Sequence, residues 1–390
     1  MNFDLAYGLY LAKAAAVRMD PNNLPAWQAR LTRPKALLLL ALTVVATGWC
    51  LAVALSRGTT ATSPSRDDND LALYHSIVER VHSGENYYDA YQNESRSRGY
   101  PTRSIFNWRT PLCVWLIGGL PHPWWAQALL GLCALATVLL AYAEVRRESG
   151  VWAALATAAL LVGAFIPCLI ADLFLSPELW AGTLIALSAV AYGSGRWRLG
   201  AAAGLLALFF RELTLPYCGL ALLLAAWRKR GREAAVWGAG LALYGLYFLL
   251  HAIEVTSRIT DADRAQKSGW VQFGGVGFIL ETARMNALVM TAPPWVAAVC
   301  LPLALLALAG WRGRLGSRVG PVVAVYIAAF AVVGQPFNLY WGLMYAPLLT
   351  FGFVRAPWAV YELFRAVYRP KARSEERQVP RHLTNESTVG

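Results

Sequence analysis

Charge is what this chain has least of. Of its 390 residues only 15% are Asp, Glu, Lys or Arg, where a soluble domain carries roughly 25%. The deficit is uneven: long stretches carry no charge at all, and the charges gather between them. Hydrophobic types make up 57%, so the pattern is that of a chain whose solvent is lipid. Cysteine is sparse and unpatterned. Cys50, Cys113, Cys133, Cys168, Cys218 and Cys300 show no CxxC spacing and mostly sit in apolar runs. They read as small buried hydrophobes rather than as metal ligands or disulfide partners. There is no Walker loop, no GxGxxG and no HExxH, and Gly193-Ser194-Gly195 is a turn. That argues against an ATP-driven pump. No cleavable signal peptide is evident, because the first long apolar run starts near Ala36, too late and too long for one.

What is present is a net charge of +12. Its cations stand in short clusters beside apolar runs. Anionic headgroups and the positive-inside rule account for that better than nucleic acid does. Apolar runs, free of charge apart from Arg355 in the last, predict about ten helical spans: Ala36–Leu55, Trp125–Ala143, Trp152–Ile170, Leu179–Tyr192, Leu199–Phe210, Leu213–Trp227, Ala234–Leu250, Pro294–Trp311, Val319–Val333 and Trp341–Val360. The connection before the first span and those after each even-numbered span are basic, with Arg146 and Arg147, then Arg196 and Arg198, and Arg228 to Arg232. Such sides must alternate, so these belong to one face, the cytoplasm, and both termini lie there. The predicted organisation is a cytoplasmic segment 1–35, a membrane domain 36–360 and a disordered cytoplasmic tail 361–390.

The odd-numbered exits then face outward. The longest, 56–124, has no run of span length. It contains two stretches that read as interfacial helices: Leu71–Val81, with apolar residues at helical spacing, and Thr110–Leu120. The polar residues collect on this side. Asp67, Asp68 and Asp70 precede the first interfacial helix, and Asp70 shares a face with Tyr74 by the i,i+4 rule. A helix N-cap explains one aspartate, not three. Asp172 and Glu178 bracket a tight turn, and Glu178 also suits the first turn of a helix. Arg211 and Glu212 interrupt two apolar runs with hardly any loop between them. They are either a turn-forming ion pair or an arginine aimed at a phosphate with its partner holding it. Arg109 lies just before an interfacial helix, flanked by Tyr100, Phe106 and Trp108, which are aromatic-belt residues or line a groove. Gln335, Asn338 and Tyr340 form another outward patch, as do His251 and Glu254.

These residues resemble the polytopic glycosyltransferases of the GT-C superfamily, in particular the bacterial group that uses polyprenyl-phosphate sugars. That group includes the lipid A aminoarabinose transferase-like, protein mannosyltransferase-like and actinobacterial mannosyltransferase-like proteins. Asp70 and Tyr74 match the acidic motif of the family's long first outer loop, with Leu71 in place of its usual second acid, which brings Asp68 forward as partner. Gly84 with Tyr87 and Tyr88 matches the signal that follows. Arg109, Thr110, Pro111, Leu112 and Trp115 look like the segment before the interfacial helix. The resemblance covers roughly 36–227.

The resemblance implies an all-α polytopic bundle and an inverting transfer of sugar from a polyprenyl-phosphate donor to a cell-envelope acceptor: a glycolipid, a polysaccharide or a protein. It places the protein in a bacterial inner membrane with its site extracytoplasmic. The chemistry needs one base for the acceptor hydroxyl and cationic or metal help for the departing phosphate. On that basis Asp70 is the expected base and Asp68 its nearest rival. Arg211 and Arg109 are expected at the phosphate. Asp172, Glu178, Glu212, Tyr74 and Tyr340 are expected to position substrate or base. Asp67, Asp68 and Asp70 are candidate ligands for a hard divalent cation, Mg or Mn. The alternative is a transporter or flippase that uses the same arginines for binding without bond making. The near absence of charge within the span cores argues against that.

Overall fold

The computed structural model describes residues 31–56, 67–266 and 269–368. Every long apolar run becomes a helix, because lipid offers backbone amides no other partner. α1 spans Arg33–Ser56. Its apolar residues Leu38, Leu42, Val45 and Trp49 point outward, and its two threonines satisfy themselves on carbonyls one turn back (Thr43 to Leu39 at 2.7 Å, Thr47 to Thr43 at 2.8 Å). α2 (Asp67–His82), α3 (Tyr87–Ser97) and α4 (Leu112–Gly118) fill the first long connection. α5 (Pro123–Ser149) starts on a proline behind a His122 cap. α6 (Val151–Phe165) and two short 3-10 turns lead into α7 (Pro177–Gly193). α8 (Trp197–Phe210), α9 (Leu215–Trp227) and α10 (Gly231–Arg258) follow. Then come the short α11 (Gly275–Ala283) and α12 (Ala287–Met290), then α13 (Pro294–Gly310), α14 (Gly316–Val332) and α15 (Ala346–Tyr368).

The architecture is an all-α bundle. Among the described residues four helices are long and apolar enough to cross a membrane: Arg33–Ser56, Pro123–Ser149, Val151–Leu169 and Gly231–Arg258. The other predicted spans are helical where expected but mostly shorter. α8 ends at Arg211 after 14 residues, about 21 Å of helix against a hydrocarbon core of roughly 30 Å. α15 continues beyond the expected boundary at Val360. Residues 361–368 are helical because Leu363 and Val367, one turn apart, pack with Ala36 of α1. The rest of the expected tail, the segment 1–30 and residues 57–66 lie outside the described residues.

The centre of the bundle is α7, buried along its whole length. Two glycines let the segment carrying Tyr340 press against it. This 3-10 turn (Leu339–Met344) lies between α7 and α11. A Cβ on Gly182 of α7 would collide with the Leu343 carbonyl, and one on Gly342 with the Thr282 carbonyl. The five connections predicted to share a face do meet at one end of the bundle: Tyr88 reaches His251, Arg109 reaches Tyr340, Arg96 reaches Asp263 and Arg211 reaches Glu178. The opposite end holds its own buried pair, Arg318 to Glu233 at 2.7 Å, with Arg318 stacked over Tyr192 at 3.8 Å.

Because the obstructing atoms at Gly342 are backbone, Gly342→Ala is expected to destabilise the protein by about 1–3 kcal/mol. It should also displace Tyr340. Thermal unfolding in detergent checks this; an unchanged midpoint would refute the close packing.

Candidate functional site

The site grows from α2. Its apolar face, Leu73, Tyr74, Ile77 and Val78, is buried, which fixes the helix rotation and sets Asp70 on the same side as Tyr74. Tyr100 donates to Asp70 Oδ1 at 2.6 Å. The α3 helix, which sequence periodicity did not reveal, buries Tyr87, Tyr88 and Tyr91, with Tyr87 edge-on to Trp115 of α4 and Tyr88 against His251 of α10. Tyr91 stacks on Trp108 (centroids 4.9 Å apart), so Trp108 is a buried packing residue and not part of an exposed belt. Phe106 is the exposed aromatic of that segment.

Arg109 follows the 3-10 turn Ile105–Asn107. Its Nε donates to Tyr74 Oη at 3.1 Å, and one terminal nitrogen lies 3.5 Å from Tyr340 Oη and 4.0 Å from Glu178 Oε1. Asn338 Nδ2 also donates to Tyr340 Oη, at 3.0 Å. Tyr74 accepts one hydrogen bond and Tyr340 two, and no acceptor among the described residues takes either phenol proton. Burial pushes the Tyr74 phenol well above its ordinary value and the Tyr340 phenol up to about 12. Both are therefore neutral O–H donors at physiological pH.

Behind Arg109 lies a second guanidinium. Arg211 has a side chain only 2% exposed, with Nε 2.8 Å from Glu178 Oε1 and a terminal nitrogen on Glu212. Ser176 Oγ donates to the other Glu178 oxygen at 3.0 Å. Two guanidiniums and two carboxylates thus share one buried centre where charge is neutralised. Burial of an unpaired charge here would be prohibitive.

In front of Arg109 the molecule opens into a cleft that communicates with the outside. Asp70, Tyr74, Arg109, Asn338 and Tyr340 line it together with Asn107, Trp270 and Phe337. The structure therefore gathers Asp70, Tyr74, Arg109 and Tyr340 at one surface. Glu178, Arg211 and Glu212 stand behind it. Asp172 is not brought in: it is exposed on the turn Ala171–Leu175, whose inward positions are taken by Phe174 and Leu175. The side chains of Asp67 and Asp68 lie outside the described residues. Among those described, no group of three or more His, Cys, Asp or Glu is placed to hold a metal ion. His251 is buried with Nδ1 3.1 Å from Tyr88 Oη, and Glu254 pairs with Arg258; neither lines the cleft. Sequence reading missed Asn107 and Trp270.

No family model matches the chain, and no curated protein matches it. Among solved structures it is similar to ArnT from Cupriavidus metallidurans bound to undecaprenyl phosphate, with 17% identity and a TM-score of 0.48, over 82% of this chain and 59% of that one. The apo state of the same protein gives 15% identity and a TM-score of 0.43, over 83% and 59%. The chain thus spans 59% of the length of the structures it is similar to.

Removing one member of the buried centre strands the others. Glu178→Leu should cost about 3–5 kcal/mol, and a second change, Arg211→Met, should recover much of that. A thermal-unfolding double-mutant cycle reads the coupling; additive losses would show that the pair is not coupled.

A second expectation concerns Asp263, in the connection after α10. Arg96 beside Asp263 holds its carboxyl well below the usual carboxylate range, with Thr102 and the Thr260 amide adding to the effect. A carboxyl depressed on folding contributes fully above its unfolded value, near about 4, and loses that contribution as pH falls towards its folded value. Acidification from pH 7 to pH 5 should therefore leave this connection docked. Loosening should begin only below about pH 4, and Asp263→Asn should loosen it at pH 7. Limited proteolysis across 259–266 measures this.

Proposed function

We propose that the chain is a membrane glycosyltransferase moving a sugar from a polyprenyl-phosphate donor to a cell-envelope acceptor, at the extracytoplasmic face of a bacterial inner membrane with both termini cytoplasmic. One observation carries the reading: Asp70, Arg109 and the phenols of Tyr74 and Tyr340 meet in one open cleft, under helices that the sequence reads as interfacial. The motif resemblance around Asp70 and Arg109 supports it independently.

The chemistry follows from the groups present. Asp70 takes the proton of the acceptor hydroxyl as the acceptor oxygen attacks the anomeric carbon. The bond from that carbon to the phosphate oxygen breaks, and the electron pair leaves with the lipid phosphate. Arg109 neutralises the departing phosphate, and the phenol protons of Tyr74 and Tyr340 donate to its oxygens. Arg109 already occupies one lone pair on each phenol, which orients those protons before substrate arrives. With one base and no covalent intermediate, a single displacement inverts the anomeric centre. Arg211 acts through Glu178, fixing the carboxylate that faces Arg109, and is a positioning residue rather than a phosphate ligand. Glu212 holds Arg211. Asp172, exposed on its turn, has no role in this scheme. Asp67 and Asp68 stay candidates to share a hard cation with Asp70, and transfer in the presence of a chelator separates that arrangement from one in which Arg109 and the phenols suffice.

Asp70→Asn keeps the shape and removes the base. Purified Asp70→Asn is expected to lose transfer by roughly 10²–10⁴-fold while still binding polyprenyl phosphate. Full activity in this variant would sink the proposed mechanism.

A further inference from the structure

The connection between α10 and α11 is clamped at two places, and its residues Gln266 and Trp270 line the cleft. At the first, Arg96 grips Asp263 at 2.6 and 2.9 Å, and the backbone amides of Thr102 and Arg103 donate to the Arg264 carbonyl at 3.0 and 3.2 Å. At the second, Val271 and Val333 form an isolated antiparallel bridge. Gln272 and Phe273 donate to the Val332 carbonyl at 3.0 Å each, Gly334 donates to the Trp270 carbonyl at 2.9 Å, and Gln335 reaches the Gly269 carbonyl. Trp270 is thus held by its own backbone and its neighbours' backbone. Its indole rests against buried Trp341, with centroids 6.1 Å apart and planes 24° apart. One face of the ring is backed by protein while Trp270 also lines the cleft with Asp70 and Arg109.

Asn107 lines the same cleft. Its backbone carbonyl accepts from the Tyr91 hydroxyl at 2.7 Å, and its side-chain Nδ2 is buried without a hydrogen-bond partner. A buried donor left so is costly unless a ligand brings an acceptor. A fixed aromatic plane in the cleft and an unsatisfied amide donor on a residue of its wall match a ring with an apolar C–H face and a rim of hydroxyl oxygens.

We propose that Trp270 and Asn107 form the subsite for the transferred sugar. A pyranose-type ring stacks on Trp270 and one of its hydroxyl oxygens accepts from Asn107 Nδ2. This rests on the glycosyl-transfer reading and names the residues that select the sugar. The lipid phosphate is held elsewhere, at Arg109, so the subsite senses the sugar and not the lipid.

The test uses full-length protein in detergent with a panel of polyprenyl phosphates carrying hexose, pentose or amino-pentose, and with sugar-free polyprenyl phosphate as competitor. For the donor that wild type uses, Trp270→Ala is expected to raise KM about tenfold, the loss of one stacking contact. Trp270→Phe should restore most of that, and the inhibition constant of the sugar-free lipid should stay within about twofold. Asn107→Ala should also raise KM and alter the ranking of sugars that differ at one hydroxyl. A KM unchanged in Trp270→Ala, or equal weakening of sugar-bearing and sugar-free lipid, would overturn the subsite while leaving glycosyl transfer standing. Failure of wild type to consume any donor on the panel would instead overturn the transfer reading, and the subsite with it.

Discussion

A guanidinium buried at the end of an apolar bundle must be neutralised where it sits, and the pairing of Arg211 with Glu178 does this. Arg211 is contributed by the break between α8 and α9, and Glu178 by the first turn of α7. Their contact at 2.8 Å therefore fixes the height of one helix pair against the central helix. Once Glu178 is placed, its oxygen faces Arg109 as well. Arg109 in turn orients the two phenols and stands in the cleft beside Asp70. The chain of dependence runs from one buried ion pair to every group that touches substrate in the proposed reaction. Such pairs add little net stability over apolar replacements, so what they supply here is position.

The rest of the bundle is arranged to keep that end wet and shaped. The long helices α1, α5 and α10 present apolar residues outward, and α7 is wrapped on all sides. Gly182 and Gly342 permit the backbone contacts that bring Tyr340 within reach of Arg109. On the far side, Asp263 and the bridge at Val271 anchor the α10–α11 connection, of which Gln266 and Trp270 line the cleft. The opposite end of the bundle uses the same device, a buried Arg318–Glu233 pair.

The sequence made some of this legible and hid the rest for physical reasons. Asp70 and Tyr74 share a helix face, and the i,i+4 spacing displays that directly. The alternation of basic connections revealed which loops share an end. Arg109 and Arg211 were both visible as outward cations, but their division of labour was not. It depends on Glu178, a partner from a distant helix, and no local spacing encodes that contact. The α3 helix was missed because its core residues are tyrosines within a polar stretch. Asp172 looked unexplained in sequence, yet its turn directs Phe174 and Leu175 inward and leaves it exposed. Trp270 and Asn107 carry no periodic signal: Trp270 comes from irregular backbone held by a long-range hydrogen bond from Gly334, and Asn107 ends a single 3-10 turn too short to show a period.

In the proposed reaction this end of the bundle breaks the bond between a sugar and a lipid phosphate in one displacement. The most direct measurement is the product itself: purified wild type, a labelled polyprenyl-phosphate sugar and an acceptor, with released lipid phosphate and the anomeric configuration of the new glycoside both determined. One lipid phosphate should be freed for each sugar transferred, and the anomeric centre should be inverted. A product with retained configuration, or sugar-lipid that moves between leaflets with its bond intact, would contradict it.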